Sequence, residues 1–149
     1  MRAVIQRVNN ASVSVDGEMV GSIQKGLLIF LGIGSGDTQK DLEYIADKTV
    51  GLRIFSDADD KMNLSVTDID GEILNVSQFT LYGDCRKGRR PNFTASMPPK
   101  EAERMYEAFI DNIKNRGINV ASGVFGADMQ VTISNDGPVT ILLDSSKII

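Results

Sequence analysis

The chain has 149 residues, no histidine and a single cysteine, Cys85. This removes Ser-His-Asp and Cys-His nucleophilic machinery, histidine-ligated zinc and any intrachain disulfide, and it agrees with a reducing compartment. With 16 basic and 20 acidic residues the net charge is −4, so the whole chain is no general polyanion binder.

The opening Met1-Arg2-Ala3-Val4-Ile5-Gln6 runs straight into strand-like alternation with no signal-peptide pattern. The longest apolar run, 27–33, is far short of the roughly 20 residues of a membrane span. The expectation is a soluble, cytoplasmic domain covering 1–149, with no membrane partner. Alternation on both sides of Asp16-Gly17 predicts a β-hairpin. The run 27–33, bounded by Gly26 and Gly34, predicts a central strand. Asp37 or Thr38 then caps a helix whose apolar face is Leu42, Ile45, Ala46, Thr49 and Val50. A short strand at 52–55 precedes a polar loop at 56–63, and Asp70-Gly71 turns the chain into a strand over 73–82. Pro98-Pro99 opens a second helix, capped by Ser96 and running to Asn115 before Gly117. Three strands follow, at 118–124, 129–134 and 139–143. Strands and helices without strict alternation indicate a mixed α/β or α+β domain.

Two ligand motifs fail on spacing. Gly32, Gly34 and Gly36 do not form GxGxxG, and no Gly-Lys-Ser/Thr follows. The aspartates from Asp57 onward have Met62 and Asp68 where a calcium loop needs glycine and glutamate, so they read as an acidic turn. Two other stretches stand out. Ser77-Gln78-Phe79-Thr80 places polar residues where the preceding strand leads one to expect core, and Asn135-Asp136-Gly137-Pro138-Val139-Thr140 sets a turn signal between apolar runs. On residues alone Asp136-Gly137-Pro138 is a hairpin turn. Segment 84–93 carries Arg86, Lys87, Arg89 and Arg90 against one aspartate, a local +3 on a chain whose remainder carries −7. It reads either as a solvated loop or as a phosphate-binding one.

The two motifs, in this order, resemble the signature pair of the D-aminoacyl-tRNA deacylases, the D-Tyr-tRNA deacylase family. The resemblance covers the whole chain, including the opening Met1 to Val8 and Pro91-Asn92-Phe93. It implies a single domain with mixed β-sheets in a barrel-like arrangement and two main helices. It also implies a homodimeric proofreading hydrolase, without metal or cofactor, that cleaves the ester of D-aminoacyl-tRNA and of mischarged glycyl-tRNA, with no DNA partner. Ser77, Gln78, Phe79 and Thr80 would be its catalytic residues. Gly137-Pro138 would be cis and would reach into the neighbouring subunit's site, where its backbone excludes L side chains. Arg86, Lys87, Arg89 and Arg90 would meet phosphates near the aminoacylated 3′ end.

This reading suits a chain without histidine. A ribose 2′-hydroxyl beside the ester can assist water, leaving the protein to supply placement and fixed oxyanion donors. Thr80 has no evident base nearby in sequence, which favours a donor or positioning role over that of nucleophile. The alternatives are a non-catalytic nucleic-acid-binding domain using loop 84–93, and a structural dimer whose two motifs are only turns and strand ends.

Overall fold

A computed structural model describes residues 1–149. Strand β1 (Arg2–Val15) turns at Asp16 and Gly17, whose φ angles of 50° and 80° suit a two-residue hairpin loop, into β2 (Glu18–Ile23). β3 (Gly26–Gly32) is the expected central strand. Thr38 caps α1 (Gln39–Gly51), where the Asp41 carboxylate accepts from the Thr38 N–H at 2.8 Å. That bond, with others from Ser145 and the Thr38 hydroxyl, holds the Asp41 carboxyl below its usual pKa. The strand expected at 52–55 is only β4 (Phe55–Ser56), which pairs across the polar loop with β5 (Met62–Leu64) as a small ribbon. Within it the Asp57 carboxylate accepts from the N–H groups of Asp59 and Lys61, so the acidic turn is closed by its own backbone.

Three further sequence expectations need correction. β6 (Glu72–Ser77) is shorter than 73–82, because the chain leaves the sheet at Gln78 and winds a 3-10 turn, Phe79–Tyr82. Pro98 occupies the cap position of α2 (Pro99–Lys114), and the Ser96 hydroxyl instead donates to the Phe93 carbonyl at 2.8 Å. After β7 (Val120–Ser122), the last two expected strands are one, β8 (Gln130–Asp144), with Asp136-Gly137-Pro138 inside it. The motif is an irregularity in the ladder with β1, where the register shifts between Gln6 and Asn10.

β1 organises the sheet. It pairs antiparallel with β2 and β3 along one edge and with β8 along the other, and the order continues β3-β6-β7 through parallel pairs. Parallel pairing requires long crossovers, which the α1 segment and α2 supply. β7 then comes back against β2. A Cβ on Gly21 would stand 2.8 Å from the Ser122 carbonyl oxygen, so glycine permits the approach that nearly closes the sheet into a barrel. Val8, Val13, Leu28, Leu74 and Val76 fill one side of the sheet. On the other, Leu27, Ile29, Leu31 and Ile73 pack with Leu42 and Ile45 of α1 and Tyr106, Phe109 and Ile113 of α2. Burial on both faces explains the unbroken apolar run of β3. The mixed fold, the near-barrel and the two helices agree with the sequence expectation. No helix is long and apolar enough to cross a membrane.

Candidate active site

The parallel ladder of β3 and β6 ends with the Gln78 N–H donating to the Leu31 carbonyl at 2.8 Å. Beyond it the 3-10 turn lifts Phe79 and Thr80 to the surface. As the first residues of that turn, their N–H groups have no acceptor within it. The Gln78 amide donates to the Thr80 hydroxyl oxygen, which leaves the hydroxyl proton free to donate outward. The turn is held from behind by Arg2, whose guanidinium donates to the Leu81 carbonyl at 2.9 Å and lies 4.6 Å over the Tyr82 ring. Arg2 also pairs with Asp144 at 3.2 Å. Burial alone would raise the Asp144 carboxyl, but hydrogen bonds from Ser146 and Arg2 bring it below its usual pKa. Burial, together with Asp37, raises the Tyr82 phenol and keeps it neutral.

Beside the turn lies a cavity of about 510 Å³ between the ends of β3 and β6, the lead into α2 and segment 125–131. Its walls include Leu31, Ile33, Met97, Phe125 and Met129, and its polar side chains are Ser77, Gln78, Ser96 and Asp128. Apolar walls with few polar groups are the usual makeup of a small-molecule site. The structure therefore brings Ser77, Gln78 and Phe79 together on this cavity, with Thr80 next along the turn. Sequence reasoning missed Met97, Phe125, Asp128 and Met129. Their positions span two loops, and no local pattern links them.

Gly137-Pro138 is not brought to this cavity within the chain. Both residues are exposed on β8, the bond between them is cis, and Gly137 has φ 122°. Their surroundings are built from the opening strand. Arg7 is buried, donates to the Ile54 carbonyl at 2.6 Å and pairs with the Asp136 carboxylate at 3.0 Å. The Asn135 amide donates to the carbonyls of Arg7 and Val139 at 2.9 and 3.0 Å, tying off the irregularity. Arg7 was a further omission, although alternation puts it on the same face as Ala3 and Ile5.

The basic segment is a short hairpin whose neck is closed by reciprocal bonds between Asp84 and Asn92, at 2.8 and 3.0 Å. Its four cations are not equivalent. Arg86 binds the Asp84 carboxylate through two nitrogens, at 2.9 and 2.7 Å, and this pairing lowers the Asp84 carboxyl to about 2. Lys87, Arg89 and Arg90 are exposed and join none of the chain's ion pairs.

Comparison with known proteins gives consistent matches. The family model described as D-Tyr-tRNA(Tyr) deacylase matches residues 4–144. The chain is 62% identical over 147 residues to the D-aminoacyl-tRNA deacylase of Halothermothrix orenii, covering 99% of each protein. It is 58% identical over 148 residues to that of Thermosipho africanus, again covering 99% of each. Among solved structures, the c-Myc DNA unwinding element binding protein superposes with a TM-score of 0.92 at 46% identity, covering 97% of this chain and 98% of that one. A probable eukaryotic D-amino acid tRNA deacylase superposes with a TM-score of 0.82 at 18% identity, over 95% and 97% of the two chains, a likeness of fold.

Proposed function

This chain belongs to the D-Tyr-tRNA(Tyr) deacylase family, and from that membership we propose that it hydrolyses the ester of D-aminoacyl-tRNA, releasing D-amino acid and tRNA. The observation that carries the reading is the polar 3-10 turn at the mouth of an apolar cavity, in a chain matched along nearly its whole length by deacylases. The terminal adenosine occupies the cavity beside Ser77 and Gln78. The ester carbonyl faces the N–H groups of Phe79 and Thr80, which stabilise the oxyanion as water attacks. The Thr80 hydroxyl, its oxygen engaged by Gln78, positions the substrate as a donor, and the ribose 2′-hydroxyl assists the water. No metal takes part.

The chiral filter is supplied by a second copy of the chain. Its Gly137-Pro138 backbone stands against the substrate Cα and excludes an L side chain, while glycine, having none, is accepted from glycyl-tRNA. The docking face runs along β1, β3 and β8. There Val4 lies in register between Phe30 and Leu142, and Leu142 is 56% exposed. On the same face the buried Gln6 side-chain oxygen has no hydrogen-bond partner within the chain, as expected of a group completed by a neighbour.

The deciding experiment follows release of matched D- and L-aminoacyl-tRNA carrying one amino acid, with chelator present and enzyme far below substrate. Release of the D form alone is expected. Equal release of both refutes the filter. Release of neither refutes the deacylase and favours a nucleic-acid-binding module using loop 84–93. That second reading has its own support in the three unpaired cations and in the DNA-element name of the 46% identical relative.

A further inference from the structure

Phe79 presents 58% of its surface to solvent at the mouth of the cavity. It is not a loosely held ring. Phe93 packs edge-on against it, with centroids 5.1 Å apart and planes at 69°. Phe93 is itself fixed by its backbone, whose carbonyl accepts from the Ser96 N–H at 3.0 Å and from the Ser96 hydroxyl at 2.8 Å. Residue 92, just before it, closes the neck of the basic hairpin with Asp84. A rigid exposed aromatic step therefore adjoins a loop whose Lys87, Arg89 and Arg90 lack carboxylate partners.

An exposed ring, backed edge-on by the half-buried ring of Phe93 and beside free cations, suits single-stranded nucleic acid, because bases stack on aromatic faces while phosphates meet the cations. A duplex stem would use the cations alone and give the rings nothing to stack on. We propose that Phe79 and Phe93, with Lys87, Arg89 and Arg90, form a stacking platform for the unpaired nucleotides immediately before the aminoacylated terminal adenosine. Arg86, already committed to Asp84, is not part of it. The inference rests on the deacylase reading and extends it from the terminal nucleoside to the strand that leads there.

The test uses one D-amino acid esterified to adenosine, to a trinucleotide ending in that adenosine, and to tRNA, with kcat/KM measured for each. For the wild type a rise from nucleoside to trinucleotide is expected. Phe93→Leu should cut the trinucleotide-to-nucleoside ratio by about tenfold, the effect of losing one base–aromatic stack, and Phe93→Tyr should restore it. A wild-type ratio of one, an unchanged ratio in Phe93→Leu, or an equal fall on both substrates overturns the platform while leaving the deacylase standing. A change in sedimentation of Phe93→Leu also overturns it, by assigning the rings to a subunit interface. Cleavage of none of the three by the wild type removes the deacylase reading and the platform with it.

Discussion

Thr80 has a hydroxyl oxygen that already accepts a hydrogen bond from the Gln78 amide, so what it can donate to a substrate is one hydrogen bond. The loss of one such bond is worth about 0.5–1.5 kcal/mol, or roughly two- to tenfold in rate. Thr80→Val should therefore lower kcat by no more than about tenfold. A tRNA ending in 2′-deoxyadenosine, which lacks the assisting group, should lose far more, and single-turnover kinetics on both will rank the two effects. Complete loss in Thr80→Val with retained tRNA binding would restore the nucleophile. Gly137 is constrained differently. At φ 122° an L side chain is strained, and an added Cβ would lie 2.9 Å from the Val139 side chain and 3.0 Å from the Arg7 guanidinium. Gly137→Ala is expected to cost about 1–3 kcal/mol in urea unfolding. It should also disturb the contact between Arg7 and this segment, lowering the ratio of D to L hydrolysis, and unchanged stability and selectivity together would refute both claims.

The 3-10 turn is held as an element by a side chain from the other end of the sequence, Arg2, which touches Leu81, Tyr82 and Asp144. Because the folded pKa of Asp144 is depressed, its stabilising contribution is present above the unfolded value near 3.9 and is lost as pH falls through the folded value. Urea midpoints of the wild type should drop below about pH 4. Arg2→Met should be less stable at pH 7 and should show a flatter acid limb, and parallel curves for the two proteins would exclude the ion pair as the cause. The same turn marks where sequence reading stopped working. Phe79-Thr80-Leu81-Tyr82 has strand-like composition, but the neighbouring β3 ends at Gly32, so no partner remains for a longer β6. Asp136-Gly137-Pro138 carries a strong turn signal, yet the 14-residue β1 absorbs it as a register shift in one long ladder. The hairpin at Asp16-Gly17, the run of β3 and the start of α2 at the double proline were legible because each is decided locally. The cavity was not, since its walls come from positions as distant as Leu31 and Val131.

At the scale of the molecule, the proposed site is incomplete in one chain, because the cavity and Gly137-Pro138 lie apart. The face that carries Leu142 would have to bring them together between two copies. Burying a leucine on each side of a two-fold contact stabilises the pair, whereas burying a lysine ammonium without a partner costs more than the leucine gained. Leu142→Lys should thus sediment at half the wild-type mass. Because Leu142 is exposed on a surface strand, the change should leave the monomer folded, with circular dichroism near that of the wild type. Such a monomer retains the 3-10 turn and the cavity but no neighbouring backbone at the substrate Cα. Its D turnover should fall and its D-to-L ratio should collapse toward one. A monomer that still discriminates would show that the filter acts within one chain. A Leu142→Lys protein that remains dimeric would move the interface to another face, and only the joint loss of dimer and selectivity supports a site built from two chains.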